Sequence, residues 1–392
     1  MKSKRLAERK LKKQIEQTYA GGFPHFEGGF YVATQLKNGY LYDKENRKIL
    51  DCDNRDGSVL FDRQEKQFSK ALKNMFKSGI PFSSPSHLEI EYGNEISKHL
   101  HYHDRLRLTE TRNDALRLCA RLACAYTERS TVIFFGDAPP ARSMKDTWIP
   151  MSASNLPDAV RLLQQSENKI AAVIINPLLT DDHDILEGSE NLKDFVGNIV
   201  ADGALLVIDE HYTGFRLSSR GFAGRYYLQP DLTVYSGIAC GGLPGGILAA
   251  GKDIMDFLSE REELHDDLKD MHTLAMVYGL ATIRCYDSLN VQGHFVKLGT
   301  ILLNQIQNEL LPALKNSNVE IQLTPLQTLL KITFLSELHT VKKLSKELHK
   351  SMLKRGYYLP PVKNPVISFN FATSENDIGN FSRALLKSLQ NI

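Results

Sequence analysis

Residues 207–246 read VIDEHYTGFRLSSRGFAGRYYLQPDLTVYSGIACGGLPGG. The stretch opens on an apolar run ending in Asp209 and Glu210 and passes through Thr213-Gly-Phe-Arg216. It then resumes at Pro230-Asp-Leu-Thr233 and closes in a glycine-rich turn, Gly241-Gly-Leu-Pro244. Working outward, short apolar runs such as AAVIINP (171–177) and ALLVIDE (204–210) alternate with amphipathic stretches, NLPDAVRLLQQ (155–165) and ENLKDFVGNIV (190–200). Continuous apolar runs between helical patterns indicate strands buried on both faces, the mark of a parallel sheet flanked by helices. Asp209 then stands at the carboxyl end of a strand, where open α/β sheets place their sites. From about residue 291 onward, amphipathic helices surround a short strand pair near 319–334 and a strand near 366–371.

The order and wording of these anchors resemble the core of the class III pyridoxal-phosphate (PLP) aminotransferases, glutamate-1-semialdehyde aminomutase above all. The resemblance continues along most of the chain. Gly39-Tyr-Leu-Tyr-Asp43 with Asn46 and Arg47, Ser84-Pro-Ser-His-Leu-Glu89, Ile170 to Pro177, and Arg355-Gly-Tyr-Tyr-Leu-Pro-Pro361 each match a family segment. It implies an α/β protein of PLP fold type I, the aspartate-aminotransferase-like architecture. A large, mainly parallel-sheet domain is expected over residues 51–290, with a smaller α+β domain from residues 1–50 and 291–392. It also implies a homodimer, since the family builds its site between subunits.

Departures from the family gather where its chemistry lies. Ungapped alignment from Asp231 to Pro244 puts Gly237 where the Schiff-base lysine should be. PLP chemistry needs an amine there to hold the aldehyde and to shuttle a proton. Asp209 is kept; in the family it pairs with the pyridine nitrogen. His211 replaces a small apolar residue beneath the ring. RLACAYT (121–127) sets the register of the phosphate cup, which becomes Thr111, Arg112 and Asn113, with arginine in place of glycine. A helix N-terminus here still offers backbone N–H groups to an anion. No aromatic residue stands within Asp137-Ala-Pro-Pro140 to stack on the ring. The partner-subunit threonine aligns with Leu268, followed by Lys269. Phe61-Asp-Arg-Gln-Glu65 replaces a Gly-His-x-His-Pro segment, Asn176 replaces a glutamate, and the chain between Gly136 and Trp148 is short for the family.

Composition narrows the remaining classes. A hydrophobic fraction of 42% with 24% charged residues describes an ordinary globular protein, large enough for about two domains. A net charge of +2 without an aromatic-laced basic stripe gives no argument for nucleic acid. No apolar run reaches the roughly 18 residues of a membrane span. Five scattered cysteines, Cys52, Cys119, Cys124, Cys240 and Cys285, form no C-x-x-C pair. This argues against a disulfide framework or a zinc site and suits a reducing, cytoplasmic setting. Cys240, three residues past Gly237, is more simply a buried apolar side chain than a reactive thiol. Within the first 17 residues, seven basic and two acidic residues read as a surface helix rather than a targeting peptide. His99, His101 and His103 would share one face if extended, yet no further ligand completes a metal set, and none is assigned. The acidic loop Asp181-Asp-His-Asp184 is either a substrate wall or simply solvated.

Three functions follow. The leading one is a non-transaminating pseudoenzyme or repurposed subunit, alone or beside a lysine-bearing partner aminotransferase, with no covalent cofactor. On this reading PLP or pyridoxamine phosphate (PMP) is expected to be absent rather than noncovalently bound. The alternative is an enzyme with a remodelled pocket. In it, His211 is the base and Asp209 the ring partner to noncovalent PLP or PMP, or Arg112, Tyr212, His211 and Asp209 serve PLP-independent chemistry. The least favoured is an active aminomutase whose lysine comes from elsewhere, Lys252 or Lys269, because catalytic geometry tolerates little displacement.

Overall fold

The computed structural model describes residues 10, 12–19, 31–62, 65–79, 84–100, 103–136, 148–151, 156–165, 169–178, 189–315 and 319–392. Contacts divide the chain into two compact units, one of residues 57–295 and one of residues 1–56 with 296–392.

The second unit begins with strands β1 (Gln35–Lys37), β2 (Tyr40–Tyr42) and β3 (Lys48–Asp51), which form an antiparallel meander. The first unit is a seven-stranded sheet of β4 (Arg105–Thr109), β5 (Thr131–Phe135), β6 (Trp148–Met151), β7 (Ile170–Ile175), β8 (Leu205–Asp209), β9 (Leu232–Ser236) and β10 (Gly246–Ala250). Its order is β4-β10-β9-β8-β7-β5-β6, parallel from β9 through β6, with β10 antiparallel to both its neighbours. Every residue of β7, β8, β9 and β10 is buried. The apolar run of β7 and the one leading to Asp209 in β8 thus encode double-sided burial, as the sequence pattern implies.

Helices α1 (Lys66–Ser78), α2 (His87–Ser97), α3 (Arg112–Thr127), α4 (Leu156–Gln165), α5 (Ser189–Asp202), α6 (Lys252–Ser259) and α7 (Thr273–Ser288) complete this unit. Helix α3 positions the site. Its buried stripe of Ala115, Leu116, Cys119, Ala120, Leu122 and Ala123 packs on Val207, Val234 and Leu248 of the sheet. The small side chains let the helix approach closely, and each fully buried Leu or Val contributes about 1.5–3 kcal/mol. Thr111 starts the helix: its Oγ1 accepts from the Asp114 N–H at 3.2 Å. An acidic residue in the first turn complements the helix dipole.

In the other unit, Tyr357–Tyr358 (β13) pairs in parallel with β3, joining the two ends of the chain in one four-stranded sheet. Strands β11 (Ile321–Leu326), β12 (Leu329–Phe334) and β14 (Val366–Ser368) form an antiparallel sheet. Helices α8 (Val291–Gln305), α9 (Leu338–Lys354) and α10 (Glu375–Leu389) follow the amphipathic stretches of the sequence, α8 carrying the chain from the first unit into this one. No helix among the described residues is long and apolar enough to cross a membrane. Residues 12–18 are helical, and the Lys12 and Glu16 side chains pair along them at 3.8 Å.

Candidate functional site at Asp209

Asp209 ends β8 with no exposed surface. Arg112, the first residue of α3, reaches it with both ends of the guanidinium: Nε donates to Oδ2 at 3.0 Å, and Nη2 makes a second, very short contact to the same oxygen. Asn176 Nδ2, just beyond the end of neighbouring β7, donates to Oδ2 at 2.8 Å, and the His211 N–H to Oδ1 at 3.3 Å. Burial alone would push the Asp209 carboxyl up. The Arg112 charge and its hydrogen bonds, with His211 and Asn176, outweigh burial and hold it below the usual carboxylate value. Asp209 is therefore a buried anion, and its compensating cation sits on the helix that the sequence marks as the anion cup. Such a bidentate pair is among the strong charge-assisted contacts.

The imidazole of His211 is also tied down. Its Nδ1 lies 2.7 Å from Ser236 Oγ at the end of β9, and its ring meets Tyr212 edge-on at 4.6 Å. Next to Ser236, Gly237 has ordinary backbone angles, so conformation does not demand glycine there. Space does. A Cβ at this position would overlap Ser58 Oγ, lie 2.6 Å from Ser58 Cβ, and come within 3.6 Å of His211 Cε1. A hydroxyl can rotate away, but the Ser58 Cβ cannot without moving backbone. The turn that follows needs glycine for both reasons: Gly241 has φ +61°, and a Cβ on it would stand 2.6 Å from the Tyr278 carbonyl oxygen.

Glu210 belongs to the scaffold. It accepts from the Phe222 and Ala223 N–H groups at 2.8 and 2.9 Å and from Thr213 Oγ1, while burial pushes its carboxyl up to about 7. Arg216, fully buried, donates to the Gly57 carbonyl at 2.7 Å and lies 5.6 Å from the Phe295 ring centroid.

Of the residues singled out from sequence, Asp209, His211 and Arg112 are brought together. Thr111 is committed to its helix cap, and the Asn113 side chain is exposed one residue beyond Arg112. Leu268 packs on the α3 core. Lys269 is exposed, holding Glu110 through its backbone carbonyl, and Lys252 pairs with Asp256 at the surface. Neither position favours a substitute lysine at Asp209. Cys240 packs against Met271 Sδ at 3.8 Å, and burial pushes its thiol up to about 12, so it is inert. His99 contacts Asp287, whereas His103 lies 2.7 Å from Thr233 Oγ1, and its burial lowers its pKa to about 4. Among the described residues no group of three metal-binding side chains gathers. The segments at 137–140 and 181–184 and His101 lie outside the described residues.

Three members of the site carry no functional assignment from sequence: Ser58, Ser236 and, apart from its mismatch with the family glutamate, Asn176. Only Asn176 had a legible signal, at the carboxyl end of the strand beside β8.

A seven-stranded sheet with its carboxyl-end aspartate beside a helix N-terminus is the arrangement of PLP fold type I transferases. A solved transaminase with PLP bound superposes with a TM-score of 0.80 at 17% identity, over 98% of this chain and 97% of that one. A glutamate-1-semialdehyde aminomutase of Pseudomonas aeruginosa PAO1, a lysine-to-alanine variant in complex with PMP, gives 0.77 at 16% identity, over 98% and 94%. At such identities the likeness establishes the fold. In sequence, the glutamate-1-semialdehyde 2,1-aminomutase of Sulfolobus acidocaldarius is 27% identical over 394 residues, covering 93% of each chain. No family model matches. The chain has the PLP type I fold, and in sequence it resembles the class III aminotransferases, with glutamate-1-semialdehyde aminomutases among its relatives. These comparisons correct one expectation. A pocket without PLP or PMP is not what the family pattern favours, since one neighbour holds PLP and another, lacking one lysine, holds PMP.

The donor set fits such a group. The fully buried Asp209 carboxylate is compensated by Arg112 in this structure, so a protonated pyridine nitrogen would have to take the place of that guanidinium, while the first turn of α3 offers N–H groups to a phosphate. The Arg112 guanidinium stands at the same carboxylate.

Proposed function

We propose that this protein is an aminomutase-related member of its family that binds PLP or PMP noncovalently at Asp209 and does not carry out lysine-dependent transamination. The observation that carries the reading is the pairing of a buried, ionised Asp209 with a glycine at 237 whose side-chain space is taken by Ser58. A bound cofactor of this type supplies an electron sink. Asp209 would hold its ring nitrogen by charge, and the N–H groups at Arg112 and Asn113 would face its phosphate. His211, oriented by Ser236 and adjacent to the side-chain space of residue 237, is the group placed to hold or move a proton. A positioned base of this kind is worth about 10²–10⁴ in rate. The family resemblance supports a homodimer, and five free thiols support a reducing, cytoplasmic setting.

Calorimetric titration with PMP and with PLP tests the proposal, followed by borohydride treatment and mass spectrometry. Saturable binding with an unchanged protein mass is the expected result. No saturable binding, or a stable mass increase on a lysine, overturns it. Light scattering at twice the chain mass checks the dimer.

A further inference from the structure

Arg112 poses a conflict that the proposed function leaves unsolved. The guanidinium and a protonated ring nitrogen are both cations seeking one buried carboxylate. Asp209 cannot satisfy them together: Arg112 takes Oδ2 through two nitrogens with Asn176 as a third donor, and Oδ1 accepts from Arg112 Nε at 3.2 Å and from the His211 N–H at 3.3 Å. The two partners of the ion pair differ in freedom. Asp209 is 0% exposed and fixed at a strand end, whereas the Arg112 side chain is 24% exposed. The α3 backbone beneath Arg112 is secured by the Thr111 cap and does not depend on where the guanidinium lies.

We propose that Arg112 is a built-in competitor that sets the ligand specificity of the Asp209 pocket. Entry requires a ligand whose own cationic ring nitrogen replaces the guanidinium at Asp209. Anions alone, such as inorganic phosphate, leave the Asp209 pair in place and gain little. A neutral ring of the same shape meets a carboxylate it cannot neutralise. The inference rests on the proposed binding of PMP or PLP and adds the group that selects it. Apparent affinity scales with the competent fraction, so a carboxylate left open by its arginine about one-tenth of the time binds about tenfold more weakly than one always open.

The test is calorimetric titration of the wild-type protein, Arg112→Gln and Arg112→Gly with PMP and, separately, with inorganic phosphate, thermal melting confirming that each protein is folded. PMP binding at least tenfold tighter in Arg112→Gln than in wild type supports the proposal. Arg112→Gly repeats the test with the residue the family carries there. PMP binding that is unchanged or weaker in Arg112→Gln, while wild type still binds, overturns the competitor and leaves the cofactor reading standing. Weakening of PMP and phosphate together would make Arg112 a phosphate anchor and also overturns it. If no folded protein among the three binds PMP, the cofactor reading and the competitor fall together. Should both variants fail to fold, wild type decides through a PMP analogue with carbon in place of the ring nitrogen. The proposal expects that analogue to bind at least tenfold more weakly than PMP, and equal binding overturns it.

Discussion

Ser58 and Gly237 are a matched pair in which one side chain fills the space the other lacks. Gly237→Lys alone is expected to destabilise the protein by about 1–3 kcal/mol through overpacking. Adding Ser58→Gly should recover most of that loss. Urea denaturation of the two proteins checks this, and equal stability of single and double variants would show that Ser58 yields freely. Arg112→Ala removes the cation from a fully buried carboxylate, for which about 3–5 kcal/mol is the usual loss at neutral pH. In wild type Asp209 is held below its unfolded value, so its contribution is present above about pH 4 and fades only as pH falls through the lower, folded value. Without Arg112, burial reverses the sign: the carboxyl rises, and stability is lost as pH increases. The gap between variant and wild type should therefore be small near pH 4 and widest near pH 7, read from denaturation midpoints across that range. A pH-independent gap would contradict this account.

Helix α3 illustrates how an element carries the site. Its apolar stripe fixes its seat on the sheet, and its cap fixes where its first N–H groups point. Thr111→Ala should cost about 1 kcal/mol and weaken PMP binding through loss of a well-ordered first turn. Urea midpoints and calorimetry report both, and unchanged binding would separate the cap from the pocket. The strands and this helix were legible in sequence because their apolar periods are strong and local. The direction of the Arg112 side chain was not. From sequence alone, an arginine at a helix start is as readily solvated as turned inward.

At the scale of the whole molecule, burial decides the behaviour of the thiols. Cys52, Cys119, Cys240 and Cys285 are buried, and burial comes first among the causes that raise their pKa values, while Cys124 is partly exposed. Native protein treated with a thiol reagent at pH 8 should modify at most Cys124 within minutes and all five residues after unfolding. Absorbance of the released chromophore counts them. Rapid native reaction of several thiols would mean that the core opens readily. The scattered spacing predicted the absence of a disulfide framework, but the ranking of the five by access is a property of packing.

Fold type, the place of Asp209 at a strand end and the glycine at 237 were written in linear order, because buried strands, capped helices and glycine turns depend on neighbours a few residues away. The partners of Asp209 and Gly237 were not. Arg112 lies 97 residues from Asp209, Asn176 lies 33 residues from it, and Ser58 contacts the space of Gly237 from a distant part of the chain. Such meetings are set by how helix and sheet pack, and side-chain direction in a packed interior answers to volume and charge compensation rather than to local propensity.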